Sequence, residues 1–134
     1  MRVMCVKTNL IEQDVTTELL NVGYSAHTKF HLKIEKRYNV YAVSFWGSIP
    51  VILIEDENGT PLWYPISLFK VIDPEIPNGW SFDILASECT QIPVLGYPDL
   101  TTTEGHYDNL IEEEDIAVQI FRRQKSIFYP SSDV

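Results

Sequence analysis

Residues 51–64, "VILIEDENGTPLWY", constrain this chain more than any other stretch. Val51, Ile52, Leu53 and Ile54 form an unbroken apolar, mostly β-branched run, which suits a strand covered on both faces. Asn58-Gly59 is the strongest two-residue hairpin signal, because both central positions of a type I′ turn need positive φ. A two-residue loop would pair Glu57 with Thr60, Ile54 with Trp63 and Leu53 with Tyr64, setting aromatic rings against branched side chains. Pro61 and Pro65 lack an N–H, so the second strand is expected at an edge or a bend.

The flanks extend this hairpin. Residues 38–46, "YNVYAVSFW", are dense in β-branched and aromatic residues and read as a strand that breaks at "GSIP". On the other side Pro65 stops the strand, residues 66–68 suit one tight helical turn, and residues 69–72 resume as a strand. The run "LWYPISLFKVID" resembles the closing segment of SH3-like barrels in order and residue type. That resemblance implies architecture and not the binding of proline-rich peptides.

Elsewhere, residues 2–6 alternate loosely as a first strand. Residues 15–21 suit a short helix capped by Thr16 or Thr17 and closed at Gly23. Phe30, Leu32 and Ile34 alternate like a half-exposed strand. A turn at Asn78-Gly79 leads to Trp80, Phe82 and Ile84 on one strand face, and residues 91–100 read as a proline-punctuated connector. Thr103 is placed to cap a turn through residues 106–111. A final helix carries Ile116, Ala117, Ile120, Phe121, Gln124, Ile127 and Phe128 at helical spacing, with acids before it and Arg122, Arg123 and Lys125 near its end. The expected fold is α+β: a small SH3-like antiparallel β-barrel with a C-terminal α-helical segment packed on it. One domain is expected over residues 1–129, its barrel at about 30–85 and its helices at about 103–128, with a disordered tail at 130–134.

Charge narrows the function classes. The formal net charge is −9, yet residues 38–121 hold fourteen acidic side chains against a single base, Lys70. Nucleic-acid binders gain affinity by replacing counterions with lysine and arginine, so direct nucleic-acid binding is not expected. Such a field attracts a basic protein and speeds the encounter, although acidity also serves solubility alone. No apolar run approaches the roughly 20 residues of a membrane helix. The opening residues lack the apolar core of a secretion signal, so a soluble, cytoplasmic chain is expected.

The usual signatures of catalysis are missing. Cys5 and Cys89 are isolated and read as reduced core residues. His27 and His31 share a face but have no third ligand nearby, and the acid run at 112–115 lacks the alternation and glycine of a calcium loop. No phosphate-binding glycine pattern, nucleophile elbow or zinc-protease motif occurs. We therefore expect no catalytic residues, no metal and no cofactor. A constellation of Cys89, Glu104, His106 and Asp108 is the enzyme alternative, to be judged by proximity.

The aromatic residues are the better lead. Trp46, Trp63, Tyr64, Trp80, Tyr97 and Tyr107 exceed what a small barrel core would hold. Trp63 and Trp80 are expected inside, and Tyr97 and Tyr107 outside as interface anchors. The stretch "YNVYAVSFWGSIPVILIEDENGTPLWYPISLFKVIDPEIPNGWSF", with "LGYPDL" and "IAVQIFRRQK", is similar to small bacterial immunity proteins of polymorphic toxin systems. The resemblance implies an inhibitor that binds a toxin domain, often a basic nuclease, without turnover. From charge and position alone, the expected partner-binding residues are Glu55, Asp56, Glu57, Tyr97, Tyr107, Glu112, Glu113 and Asp115, on a monomer. The competing reading is an SH3-like adaptor or a subunit of a larger assembly.

Overall fold

The computed structural model describes residues 1–10, 17–21, 24–25, 27–87 and 90–130. Its strands are β1 Arg2–Cys5, β2 Arg37–Asn39, β3 Ala42–Trp46, β4 Ile49–Glu55, β5 Pro61–Pro65, β6 Phe69–Asp73, β7 Ser81–Ser87 and β8 Thr90–Gly96. The helices are α1 Thr17–Asn21, α2 Asp99–Thr102, α3 His106–Ile111 and α4 Asp115–Phe128. A 3-10 turn, Ile66–Leu68, joins β5 to β6 as the sequence suggests.

The strands make two antiparallel sheets, β2-β1-β6 and β5-β4-β3-β8-β7. The fold is thus α+β. Among the described residues no strand of one sheet pairs with a strand of the other, so the sheets are not closed into a barrel. Residues 37–46 run through both sheets, pairing with β1 as β2 and with β4 and β8 as β3. The chain crosses between the sheets at Val40 and Tyr41, whose amides donate to Met1 and Leu53 carbonyls.

Three layers follow from the side-chain alternation of β4. Ile52 and Ile54 enter a core with Val3, Tyr38, Tyr64 and Phe69, between the small and large sheets. Val51 and Leu53 enter a second core with Trp63, Tyr97, Leu110 and Phe121, between the large sheet and the helices. Coverage on both faces is what the unbroken apolar run demands. The two cores together explain where the aromatic residues go: Tyr64 is buried in the first, Trp63, Tyr97 and Tyr107 in the second, and Trp46 and Trp80 are only partly covered. Trp80 packs against the first core with its indole nitrogen buried. The expectation that Tyr97 and Tyr107 are exposed is corrected, because one barrel interior was assumed where two cores exist.

The hairpin register is one residue from the expected one. Glu55 pairs with Pro61, Ile54 with Leu62 and Leu53 with Trp63. Gly59 takes positive φ (73°) and Asn58 does not, so the loop is a three-residue turn closing with a glycine bulge. Asp56 dictates it: its Oδ1 accepts the amides of Asn58 (2.9 Å) and Thr60 (3.1 Å), and its Oδ2 accepts the Tyr64 hydroxyl at 2.7 Å. An aspartate holding its own turn outcompetes the two-residue loop.

Four further expectations are corrected. Residues 30–34 form no strand: Phe30 and Leu32 are buried from an irregular segment, and Ile34 is exposed. The supposed connector at 91–100 contains β8, which lies between β3 and β7. Pro93 is tolerated there because pairing to β3 ends at Val94 and the Ile84 amide turns to the Asp83 carboxylate. The docking stripe of α4 is Ala117, Phe121 and Gln124, whereas Ile116 and Ile127 face solvent. Thr103 does not cap α3, whose first residue follows Gly105 at φ 78°. Thr16, Gly23 and Cys89 lie outside the described residues, as do residues 131–134 of the expected tail. No helix among the described residues is long and apolar enough to cross a membrane.

Candidate functional site

An open cleft of about 920 Å³ lies between the large sheet and α3. The end of β3 brings Phe45 and Trp46 to it, the start of β5 brings Leu62 and Trp63, and β8 brings Ile92 and Pro93. Helix α3 closes the opposite wall with Tyr107, Asp108, Leu110 and Ile111. These helical positions share a face because residues three to four apart along a helix lie one above the other, as Tyr107 does with Leu110 and Ile111 and Asp108 with Ile111, and Tyr107 and Leu110 also reach the core.

The aromatic rings are fixed to one another. The Trp46 indole N–H donates to the Tyr107 hydroxyl at 3.0 Å. Tyr24 stacks on Trp46 at 6.4 Å and 16°, and its hydroxyl donates to the Trp63 carbonyl at 3.0 Å. Trp63 leans on Tyr107 with ring centroids 5.6 Å apart. Its own indole N–H is buried and has no hydrogen-bond partner among the described residues. Burial pushes the Tyr107 hydroxyl above its ordinary value, so it stays a neutral acceptor for Trp46. Phe45 and Ile111, each 44% exposed, form the apolar rim.

Asp108 is the one charged side chain lining the cleft among the described residues. It stands also at a smaller cavity of about 230 Å³ with Glu104 and Tyr107. Beyond Ile111 the chain leaves α3 through Glu112 and Glu113, the latter at φ 58°, and enters α4 after Glu114. Glu104, Asp108, Glu112, Glu113, Glu114 and Asp115 are all exposed, and no lysine or arginine occurs from residue 99 to 121. The result is an acidic shoulder beside an aromatic cleft.

The structure divides the sequence-derived candidates. Glu112, Glu113 and Asp115 lie on that shoulder, and Tyr107 lines the cleft although it is buried. Tyr97 is fully enclosed in the core. The hairpin-tip acids are committed internally: Glu55 pairs with Lys125 at 2.9 Å, and Asp56 is buried in its turn. Glu57 meets Lys36 at 2.6 Å and accepts the Tyr38 hydroxyl at 2.8 Å. The Lys36 ammonium holds the Glu57 carboxyl below its ordinary value. Charge counting missed this because it treats adjacent acids as free. Trp46, Asp108 and Ile111 were missed as a set, although the spacing of Asp108, Ile111 and Glu112 marks one helix face.

Among the residues of the enzyme alternative, His106 is buried while Glu104 and Asp108 are exposed. No group of three His, Cys, Asp or Glu side chains among the described residues is placed to hold a metal ion. The His106 Nε2 lies 2.6 Å from the Tyr97 hydroxyl, and its Nδ1 is buried with no partner among the described residues. Burial lowers the His106 pKa from 6.5, against an opposing pull from Asp99. Burial also works to raise the Asp99 carboxyl, but hydrogen bonds from Thr103 and Gln124 outweigh it and leave it below its ordinary value.

A pH dependence follows. With its folded pKa depressed, His106 binds a proton more readily in the unfolded chain, so stability is full above the unfolded value, near 6.5, and falls as pH drops below it. His106→Gln should lower stability at pH 7.5 yet flatten the slope between about pH 6.5 and 5. Urea unfolding across that range checks it; an unchanged slope in the variant assigns the dependence to other groups.

Comparison of the chain with protein-family models, with curated proteins and with solved structures gives no match in any of the three.

Proposed function

We propose that this protein is a non-catalytic inhibitor of the immunity-protein kind, which neutralises a basic toxin domain by binding it in an equimolar complex in the cytoplasm. The observation that carries the reading is the exposed shoulder of six acids from Glu104 to Asp115, uninterrupted by a base, beside a cleft floored by tryptophan and tyrosine. Acids at a rim raise the encounter rate with a basic partner, and large rings in a desolvated centre supply most of the affinity. Nucleic acid would be repelled by the same shoulder. We also propose that the two sheets, which are not closed on each other, are an open variant of the SH3-like architecture. The passage of residues 37–46 through both sheets supports this, as does the 3-10 turn that carries the chain from β5 to pair β6 with β1.

The test uses tagged protein in extracts at low and moderate salt, followed by titration of whatever activity the captured domain shows. A basic domain released by salt, with its activity abolished at equimolar protein, is the expected result. Replacing Glu112, Glu113 and Asp115 together by lysine should then slow association about 10- to 100-fold at low salt, with little change in dissociation. A partner that is neutral or acidic, or an association rate indifferent to the triple replacement, rules the steering mechanism out.

A further inference from the structure

The cleft has a chemistry more specific than the shoulder. We propose that it seats one lysine or arginine side chain of the partner, flanked by apolar residues; this deepens the inhibitor reading and rests on it. The floor is the Trp46, Trp63 and Tyr107 ring set, held by the indole-to-hydroxyl bond at 3.0 Å and the ring contact at 5.6 Å. Rings already locked to one another lose little freedom when a ligand arrives.

Charge selects the occupant. Among the described residues the lining contains no lysine, arginine or histidine, and its one ionic group is the exposed carboxylate of Asp108. Glu112 follows one helical turn later on the same side, its amide bonded to the Asp108 carbonyl at 3.1 Å. An anionic side chain entering here meets like charge. A wholly apolar one dehydrates Asp108 without giving it a partner. A basic side chain meets both demands. Its methylene stem packs on apolar walls such as Ile92 and Ile111, and its cationic head is drawn to aromatic faces within about 6 Å and to the carboxylate. The apolar rim residues Phe45 and Ile111 then receive the flanking positions.

The probes are three tripeptides, acetyl-Leu-Lys-Leu-amide and its norleucine and glutamate counterparts, titrated into the whole protein while the tryptophan indole resonances are followed by NMR. The lysine peptide should bind about 3- to 10-fold more tightly than the norleucine peptide, and the glutamate peptide more weakly than either. Asp108→Asn, at an exposed position, should close the gap between the lysine and norleucine peptides, weakening the first and slightly tightening the second, since no carboxylate is left to dehydrate. Equal binding of the lysine and norleucine peptides overturns the proposal, as does a Trp46 resonance that none of the three moves. A basic toxin domain captured and inhibited without any lysine preference in the tripeptides would overturn the anchor alone. A lysine preference with no basic protein partner would uphold the cleft chemistry and remove the inhibitor reading instead.

Discussion

Gly96→Ala is expected to destabilise the protein by about 3 kcal/mol, or roughly 10 °C in Tm. Gly96 pairs with Ala42 where β8 joins β3. A Cβ there would lie 2.8 Å from the Tyr41 carbonyl oxygen and 2.9 Å from the Ala42 Cα, and would also press on the Ala42 side chain. Two of these neighbours are backbone atoms in the middle of a sheet, which no rotamer change can move aside. The damage would fall at the crossing point of residues 37–46, where one continuous segment supplies a strand to each sheet. Gly59→Ala is the proper comparison: it has open space around the new Cβ but a φ of +73°, so only backbone strain of about 1–2 kcal/mol applies. Urea melts of both variants decide the matter. If Gly96→Ala costs no more than Gly59→Ala, the close approach of the two strands is wrong.

Asp56→Ala is expected to be at least as damaging, at about 4 kcal/mol. The carboxylate holds two turn amides and a buried tyrosine hydroxyl, and its loss frees all three at once. Bonds to a charged acceptor contribute about 1.5–3 kcal/mol each, partly recovered here where the turn amides reach water. The Tyr64 hydroxyl cannot be recovered that way, since Tyr64 is 3% exposed. Tyr64→Phe in the Asp56→Ala background should therefore restore about 1–2 kcal/mol, although it is destabilising by itself. A double-mutant cycle with additive losses would show that the aspartate supports the turn and not the tyrosine.

Much of this architecture is legible in the sequence. The doubly covered strand, the turn at Ile66–Leu68 and the long final helix followed from periodicity, proline placement and turn chemistry. What failed did so for identifiable reasons. The hairpin slipped by one residue because Asp56, three positions before Gly59, bonds its own loop, a side-chain effect that dipeptide preferences do not contain. Strand β8 was hidden by Pro93, whose missing N–H falls just where the β3 ladder has ended. The site was half legible. The acids at 112–115 are exposed, but those at 55–57 are bound by Lys125, the turn and Lys36, partners that only folding brings near. The cleft itself was illegible, because Tyr24, Trp46, Trp63 and Asp108 come from segments far apart in the chain.

Strand β4 sends alternate side chains into the two cores, and that has a thermodynamic consequence. A strand that is wall to both interiors cannot leave one without emptying the other, so neither core can melt on its own. Heat should take the protein apart in one transition, with calorimetric and van't Hoff enthalpies equal. The amides of β4 should be the last to exchange with solvent, opening only through global unfolding. The aromatic cleft stands on that strand's neighbours, and so its shape is guaranteed by the stability of the whole molecule and not by local packing alone.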